Sequence, residues 1–462
     1  MPIWATFPPV APIWRILGLW PPPTGNPANG PLAENVPGVV ATILNEPYQQ
    51  LPAFAYYDRA NKLPYTMNYT FDIQWQPRRD LAIDIGFVGN SGRHEVMPIP
   101  FNQPGIASPS HPINGQHYTY GYTVLDPNNN YNPLTLPDGT QMVSTYEGGN
   151  NDLRVPYLGY SAEAESYKAL GVSNYNALQT HVEKRLSHGV QVGFSYTWSH
   201  ALDEQSAMGL FYNGNNPLQP KGAYASSDFD RTHVMNFNYL YQFPGLVRGN
   251  GLASKFTNGW AIQGIAVLQS GQPYSVIDYT GAVGSIFYGV TDGIINPIVP
   301  LAPGCTSRSA VTGAAGAGTT PALKASCFTL PLLQPGALGG AIPPGDTFET
   351  NFSSTGRNLF RQAWQRRTDI SLVKDLLITE RVKLKFTLDV FNLTNTASFD
   401  IPIDNVSQNV GYNDYPVAGT QPLPTSCSNT NLGFYNCPSG LGVVNKTIGG
   451  PRQIQMSLHL AF

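Results

Sequence analysis

The sequence predicts an all-β fold, a transmembrane antiparallel β-barrel wall with long extracellular loops, and three observations lead there. Its last ten residues alternate between an apolar and a polar set, and the same period of two recurs in several earlier segments. Short and long connections between these segments take turns along the chain. Charged residues make up only 12% of the chain, against about 25% in ordinary globular proteins.

Each bound from composition agrees. The 462 residues include 46 Gly, 41 Pro, 25 Tyr and 21 Phe, a mixture suited to strands joined by long loops. A net charge of -3 leaves no basic footprint for nucleic acid, so none is expected as a partner. No apolar run approaches the roughly 18 residues of a membrane helix, so a membrane would have to be crossed by a barrel. Residues 1–29 lack a basic-then-apolar leader, and Pro8, Pro9, Pro12, Pro21, Pro22 and Pro23 exclude a helical leader core. Residues 1–64 read as a proline-rich, loop-like segment, with a short strand conceivable only at 39–44; residues 65–462 read as the barrel portion. The cysteines fall as two local pairs, Cys305 with Cys327 and Cys427 with Cys437. Neither pair has the tight spacing of a zinc site, so two loop disulfides are expected, with free thiols as the alternative.

The first clear strand is 65–76, where Tyr65, Met67, Tyr69, Phe71, Ile73 and Trp75 alternate with polar residues. After a turn at 77–79, Leu81, Ile83, Ile85 and Phe87 repeat the pattern. Asp72 and Asp84 then face inward, costly in a dry core but acceptable toward water. A second hairpin spans 175–199 with its turn near Ser187, His188 and Gly189. Strands follow at 233–243 and 259–269, the second with ambiguous alternation. A further pair is 367–374 and 382–391, joined near Thr379; there Leu384, Phe386, Leu388 and Val390 oppose Lys383, Lys385, Thr387 and Asp389. Charges on that polar face fit a water-filled lumen better than a sandwich core. Trp75, Trp198 and Trp260 lie near strand ends, where an interfacial girdle would place them. At the end, Ile454, Met456, Leu458, Leu460 and Phe462 share one face. At about 3.3 Å per residue and a tilt near 45°, such a strand covers about 25 Å, the height of a barrel's apolar band.

Short links at 77–79, 187–189 and around 379 alternate with long ones at 90–171, 200–231, 270–366 and 395–452, and the intermediate link 244–258 occupies a short-link place. If short links are periplasmic, the last strand ends in the periplasm, and the first clear strand must be entered from outside. Roughly nine strands are expected, an odd number, so the chain reads as the C-terminal part of a larger barrel.

These segments resemble the C-terminal barrel portion of Oar-like TonB-dependent outer-membrane receptors of the carboxypeptidase-regulatory-like type. The matching stretches are YNALQTHVEKRLSHGVQVGFSYTWSHALDEQS from Tyr175, SDFDRTHVMNFNYLYQFP from Ser227, GWAIQGIAVLQSGQPYSV from Gly259, TGRNLFRQAWQRRTDISLVKDLLITERVKLKFTLDVFNLTNTASF from Thr355, and PRQIQMSLHLAF from Pro451. Together they cover most of residues 63–462, although the Gly-Pro-Gly expected after Arg361 is missing. The resemblance implies a barrel of about 22 strands in the Gram-negative outer membrane, a receptor or transporter for a large or scarce solute, and no enzyme. It also implies contact with outer-membrane lipid, assembly by the barrel-assembly machinery, and coupling to the TonB complex only through an upstream plug not recognised in this sequence. Phe462, with Leu460 and Leu458, would be the barrel-assembly signal. The alternative is a surface adhesin or structural barrel without coupled transport, and a soluble secreted enzyme stands a distant third.

No site chemistry rises above these structural readings, and no cofactor or metal is expected. Ser199, His200 and Asp203 lie too close along one strand end for an unaided triad, and His200, Asp203 and Glu204 read as loop residues rather than metal ligands. His181 and Glu183 share one strand face as a solvated pair, and His94 and Glu95 are expected exposed in a turn after Gly92. Tyr118, Tyr120, Tyr122, Asn128, Asn129 and Asn130 could meet a sugar or peptide, or could simply form turns.

Overall fold

In the computed structural model the alternating segments become nine long strands: β1 (Tyr65–Arg78), β2 (Leu81–Pro100), β3 (Glu165–Ser187), β4 (Val190–Asp203), β5 (His233–Gln242), β6 (Trp260–Gln269), β7 (Gln365–Leu377), β8 (Lys383–Phe391) and β9 (Gln453–Ala461). The structure describes residues 55–102, 165–206, 219–249, 251–277, 298–317, 320–328, 355–379, 381–404 and 441–462, with short stretches at 112–114, 134–135, 141–142, 154–157 and residue 216. The readings made for 39–44, Cys427, Cys437, Tyr118, Tyr120, Tyr122 and Asn128 to Asn130 lie outside the described residues.

Every strand pairs antiparallel with the next in sequence, so the sheet is a simple meander from β1 to β9. Among the described residues it does not close; β1 and β9 are its edges. In its central rows the register sorts side chains by polarity. One row runs Trp75, Ile83, Val182, Phe194, Phe237, Ala266 from β1 to β6. Another runs Tyr241, Ile262, Leu372, Leu388, Met456 from β5 to β9. On the opposite face Gln74, Asp84, His181, Ser195 and Asn236 form one row, and Gln263, Ser371, Asp389 and Gln455 another. A one-residue slip would send each strand's apolar set to the polar side, so the pattern itself fixes the pairing. Pairing also resolves the ambiguous strand at 259–269: Trp260, Ile262, Ala266 and Leu268 join the apolar face.

The apolar face is exposed rather than packed. Phe71, Ile73, Trp75, Ile454, Leu458 and Leu460 are all open, and Met456 is 68% exposed. Trp75, Trp198 and Trp260 all belong to this face. Where β2 lacks a side chain at Gly89, the Tyr69 ring lies across it: a Cβ there would fall 1.9 Å from Tyr69 Cε2. The Tyr69 hydroxyl reaches on to Asn176 Oδ1 at 2.9 Å, so one side chain ties three strands.

Several boundaries differ from expectation at the long-connection end. β2 continues to Pro100 and β3 begins at Glu165, so the expected loop over 90–171 is partly a ribbon. At about 3.3 Å per residue, those extra residues carry the ribbon well beyond a 25 Å apolar band. His94 and Glu95 therefore lie within a strand, not a turn. His94 is a bulge residue at φ 57°, the register shifts around it, and Glu95 accepts a 2.9 Å bond from the Ser173 hydroxyl. Within the segment expected to be loop-like, Ala55–Tyr57 pairs in parallel with the outer part of β3. It takes the edge of β3 that β4, ending at Asp203, leaves open. Asn61 fastens it, donating to the Tyr167 carbonyl at 2.7 Å and accepting from Ala169 N–H at 2.7 Å.

The short-turn end is tight. β3 and β4 join through His188 (φ 52°) and Gly189 (φ 79°), the two left-handed residues of a two-residue hairpin turn. Asp80, in the β1–β2 turn, accepts from Ser187 Oγ at 2.5 Å and pairs with Lys184 at 3.5 Å, tying neighbouring turns together.

Candidate functional site

Two regions of the described residues carry polar side chains in quantity: the polar face of the sheet and the rim at the ends of the long connections. A depression of about 450 Å³ lies against β4 to β8, lined by Gln191, Asn238, Gln263, Asp369, Ser371 and Asp389 among others. All six are polar-face residues by register, so the depression lies on that face. Its two carboxylates, Asp369 and Asp389, are each held by local partners. Arg367 Nε meets Asp369 at 2.9 Å, Ser371 Oγ donates to Asp389 at 2.5 Å, and Asn392 N–H donates to Asp369 at 2.7 Å. His181 Nδ1 lies 2.9 Å from Ser195 Oγ on the same face. The depression is thus lined by amides, a hydroxyl and two carboxylates together with Leu240, Ile265 and Phe391.

The rim is built differently. Among the described residues, the largest fully buried side chains, Arg154, Phe328, Leu323, Val155 and Val276, belong to the connections and not to the nine strands. The β4–β5 and β6–β7 connections are fastened by two arginines on Asp203, Asp228 and Asp230. Arg357, almost fully buried, donates through Nε to the Ala223 carbonyl at 3.2 Å. Its Nη1 donates to Ser206 Oγ at 3.1 Å and Asp228 at 2.9 Å, and its Nη2 to the Asp203 carbonyl at 2.8 Å and the Asp203 carboxylate. Asn358 Nδ2 donates to the Ser226 carbonyl at 2.6 Å and to Asp228 at 2.7 Å. Arg361 pairs with Asp230, whose other oxygen accepts from Ala201 N–H at 2.8 Å. Arg231 donates to the Ser270 carbonyl at 2.8 Å; burial, and then the Arg361 charge, lower its pKa.

The residues weighed as catalytic or metal-binding are each engaged separately. The Ser199 hydroxyl donates to the Arg231 carbonyl at 2.9 Å, His200 Nδ1 lies 3.2 Å from Asp230, and Asp203 is held by Arg357. Glu204 accepts from Val172 N–H at 2.9 Å, and burial raises its carboxyl pKa. Sequence reasoning did not assign Arg357, Asn358, Arg361, Asp228 or Asp230 a role. Their signal was present: one segment carries Asp228 and Asp230 two apart, and a later one carries Arg357 and Arg361 four apart.

Farther out, Cys305 and Cys327 are joined by a disulfide, with Cα atoms 5.5 Å apart. This loop packs on residues 441–444 through backbone bonds, Ala322 N–H to the Gly442 carbonyl at 2.7 Å and Val444 N–H to the Gly316 carbonyl at 2.8 Å. Ile277 N–H donates to the Asp404 carbonyl at 2.9 Å, and burial pushes the Asp404 carboxyl up to about 6. Burial also raises the Tyr274 hydroxyl, with the nearby Asp404 charge adding to it. Phe462, beyond the end of β9, is 97% exposed, and Leu458 and Leu460 are open on the apolar face.

Residues 14–455 match the family model described as outer membrane beta barrel domain. Among solved structures, the chain is similar to the outer membrane transporter YddB from Escherichia coli, with 7% identity, a TM-score of 0.36 and coverage of 89% of this chain and 34% of that one. It is also similar to the ferric-catecholate import receptor Fiu from E. coli K12, with 12% identity, a TM-score of 0.31 and coverage of 80% and 29%. For P. aeruginosa FpvA bound to heterologous pyoverdines the values are 10%, 0.30, 79% and 27%. The chain thus spans about a third or less of the length of these structures. No curated protein matched it.

Proposed function

The chain belongs to the outer membrane beta barrel domain family and lies in the outer membrane, and from that premise we propose that it forms the C-terminal part of the wall of a TonB-dependent receptor. In this reading it surrounds a solute pathway together with further strands and a plug carried elsewhere in the receptor. The observation that carries the proposal is the pairing of an exposed apolar face with an opposite face that bears polar rows and a depression, across nine meandering strands. An Oar-like receptor for a large or scarce solute is the finer form, supported by the stretches around Tyr175, Ser227 and Thr355. The amide-rich wall suits a pathway that solute traverses without being held, and the rim clasp suits loops that must keep their shape.

Phe462, Leu460 and Leu458 serve, in the same proposal, as the signal read by the barrel-assembly machinery. They are exposed at the end of the last strand, where an assembly factor could add to an open edge. Deleting Phe462 from the full-length protein should lower the amount assembled in the outer membrane; unchanged assembly contradicts this role.

The transport reading is tested by uptake of labelled candidate solutes into cells expressing the full-length protein, with the inner-membrane TonB complex energised or inactive. Uptake lost on inactivation supports it. A surface that binds ligands or other cells, with no energy-dependent uptake for any solute, supports the adhesin reading instead.

A further inference from the structure

We propose that the link between β5 and β6 is a membrane-lying foot that holds anionic phospholipid headgroups at the short-turn end of the wall. The proposal rests on the reading of the apolar face as lipid-facing. The link is ordered. Asn258 Oδ1 accepts from Leu246 N–H at 2.8 Å and Val247 N–H at 3.3 Å, and its Nδ2 donates to the Val247 carbonyl at 2.7 Å. Between these ties runs helix α1 (Leu252–Thr257), its Ser254 buried and bonded to the Gly251 carbonyl at 2.8 Å.

The apolar side chains of this link are turned away from the protein. Leu246 is 77% exposed, Leu252 76% and Phe256 74%, and Leu252 and Phe256 share a helix face by their spacing. A water-facing link gains nothing from three such groups; an interfacial helix gains by burying them in lipid.

The geometry also fixes which side of the wall the foot is on. Trp260 Nε1 donates to the Phe256 carbonyl at 2.9 Å, and Lys374 Nζ donates to the Asn258 carbonyl while lying 5.6 Å from the Trp260 ring centre. Trp260 and Lys374 face each other in the apolar row that continues through Phe386 and Leu458. The helix end is therefore bound to the apolar side of the sheet and continues the lipid-facing surface. The charges are of one sign. Between Pro244 and Trp260 the only ionic residues are Arg248 and Lys255. The Lys255 ammonium donates to the Ile378 carbonyl at 3.1 Å, joining the foot to the β7–β8 turn, where Leu377 and Ile378 are also exposed. Asp375, next to Lys374, falls on the opposite face. Apolar groups beside cations at the edge of a lipid-facing wall match an anionic headgroup over its acyl chain.

The test uses the full chain in phospholipid vesicles, with Cys427→Ser and Cys437→Ser to free the labelling chemistry. Nitroxide labels at Phe256→Cys, Gly249→Cys and Met456→Cys report depth by oxygen and nickel-chelate accessibility. The label at 256 should lie about 5–10 Å into the lipid, the label at 249 in water, and the label at 456 in lipid. A wet 256 with a lipid-immersed 456 overturns the foot alone, and a wet 456 overturns the barrel reading beneath it. Spin-labelled phosphatidylglycerol should associate more strongly than phosphatidylcholine. Arg248→Gln and Lys255→Gln should each lower that preference about fivefold, and Lys255→Arg should retain it. Equal association of the two lipids overturns the headgroup assignment.

Discussion

Arg357 spends its guanidinium on loop partners that no other described residue joins in the same way: two carboxylates, a hydroxyl and two carbonyls. Removing one member of a buried pair leaves the other charged in a dry setting, at a cost of about 3–5 kcal/mol. Arg357→Ala should therefore loosen the rim, read as faster proteolysis of residues 203–231 and 355–362. Arg357→Lys should rescue little, because an ammonium cannot reproduce the planar fork. Unchanged proteolysis in both variants contradicts the clasp. Asp404 makes the second residue-scale prediction. Its folded pKa, about 6, lies above its ordinary carboxylate value. The folded state thus holds the proton more tightly than the unfolded chain. The stabilisation is complete at low pH and is lost as pH rises through about 6. Exchange protection of the Ile277 amide, corrected for intrinsic rate, should be greater at pH 5 than at pH 7.5, and Asp404→Asn should abolish the difference. A pH-independent protection factor in the wild type would sink this account.

At the scale of elements, the alternation that made the strands legible also sets their tolerance. Leu458 and Ser457 are neighbours on β9, yet Leu458 faces Phe386 on the apolar side and Ser457 meets Thr387 across the polar side. Leu458→Arg should cost about 2–4 kcal/mol if it lies near the bilayer midplane, measured as a lower denaturant midpoint in vesicles, whereas Ser457→Arg should be nearly neutral. Comparable losses for both would contradict the face assignment. Strand positions were readable because a period of two needs only local residues, and the turn at His188 and Gly189 carries its own local signal. The β2 bulge at His94 was not readable, because it depends on which β3 residue lies opposite. The Ala55–Tyr57 strand was hidden for a related reason: its partner is an edge of β3 more than a hundred residues later, and its own residues have no alternation to display. The rim was hidden most completely. Its ties run from side chains to distant carbonyls and carboxylates, and charge complementarity between the Asp228 and Arg357 segments was the only trace in the sequence.

For the whole molecule, the arrangement inverts that of a water-soluble protein: strands bare their apolar side, and the largest fully buried side chains among the described residues are in the connections. Such a surface, with open edges at β1 and β9, is compatible with lipid and not with free solution. In water without detergent the chain should therefore sediment as aggregate, and a dispersed monomer there would contradict it. The disulfide at Cys305 and Cys327 and the Arg357 clasp then act as stiffeners for the end of the wall that lacks a bilayer to hold it. The most direct test of the two-faced wall is a nitroxide scan through every position of β8, 383–391, in reconstituted protein. Oxygen accessibility should peak at Leu384, Phe386, Leu388 and Val390, and nickel-chelate accessibility at Lys383, Lys385, Thr387 and Asp389. A scan in which the even positions are shielded from lipid, or in which both probes show no alternation, would contradict the account.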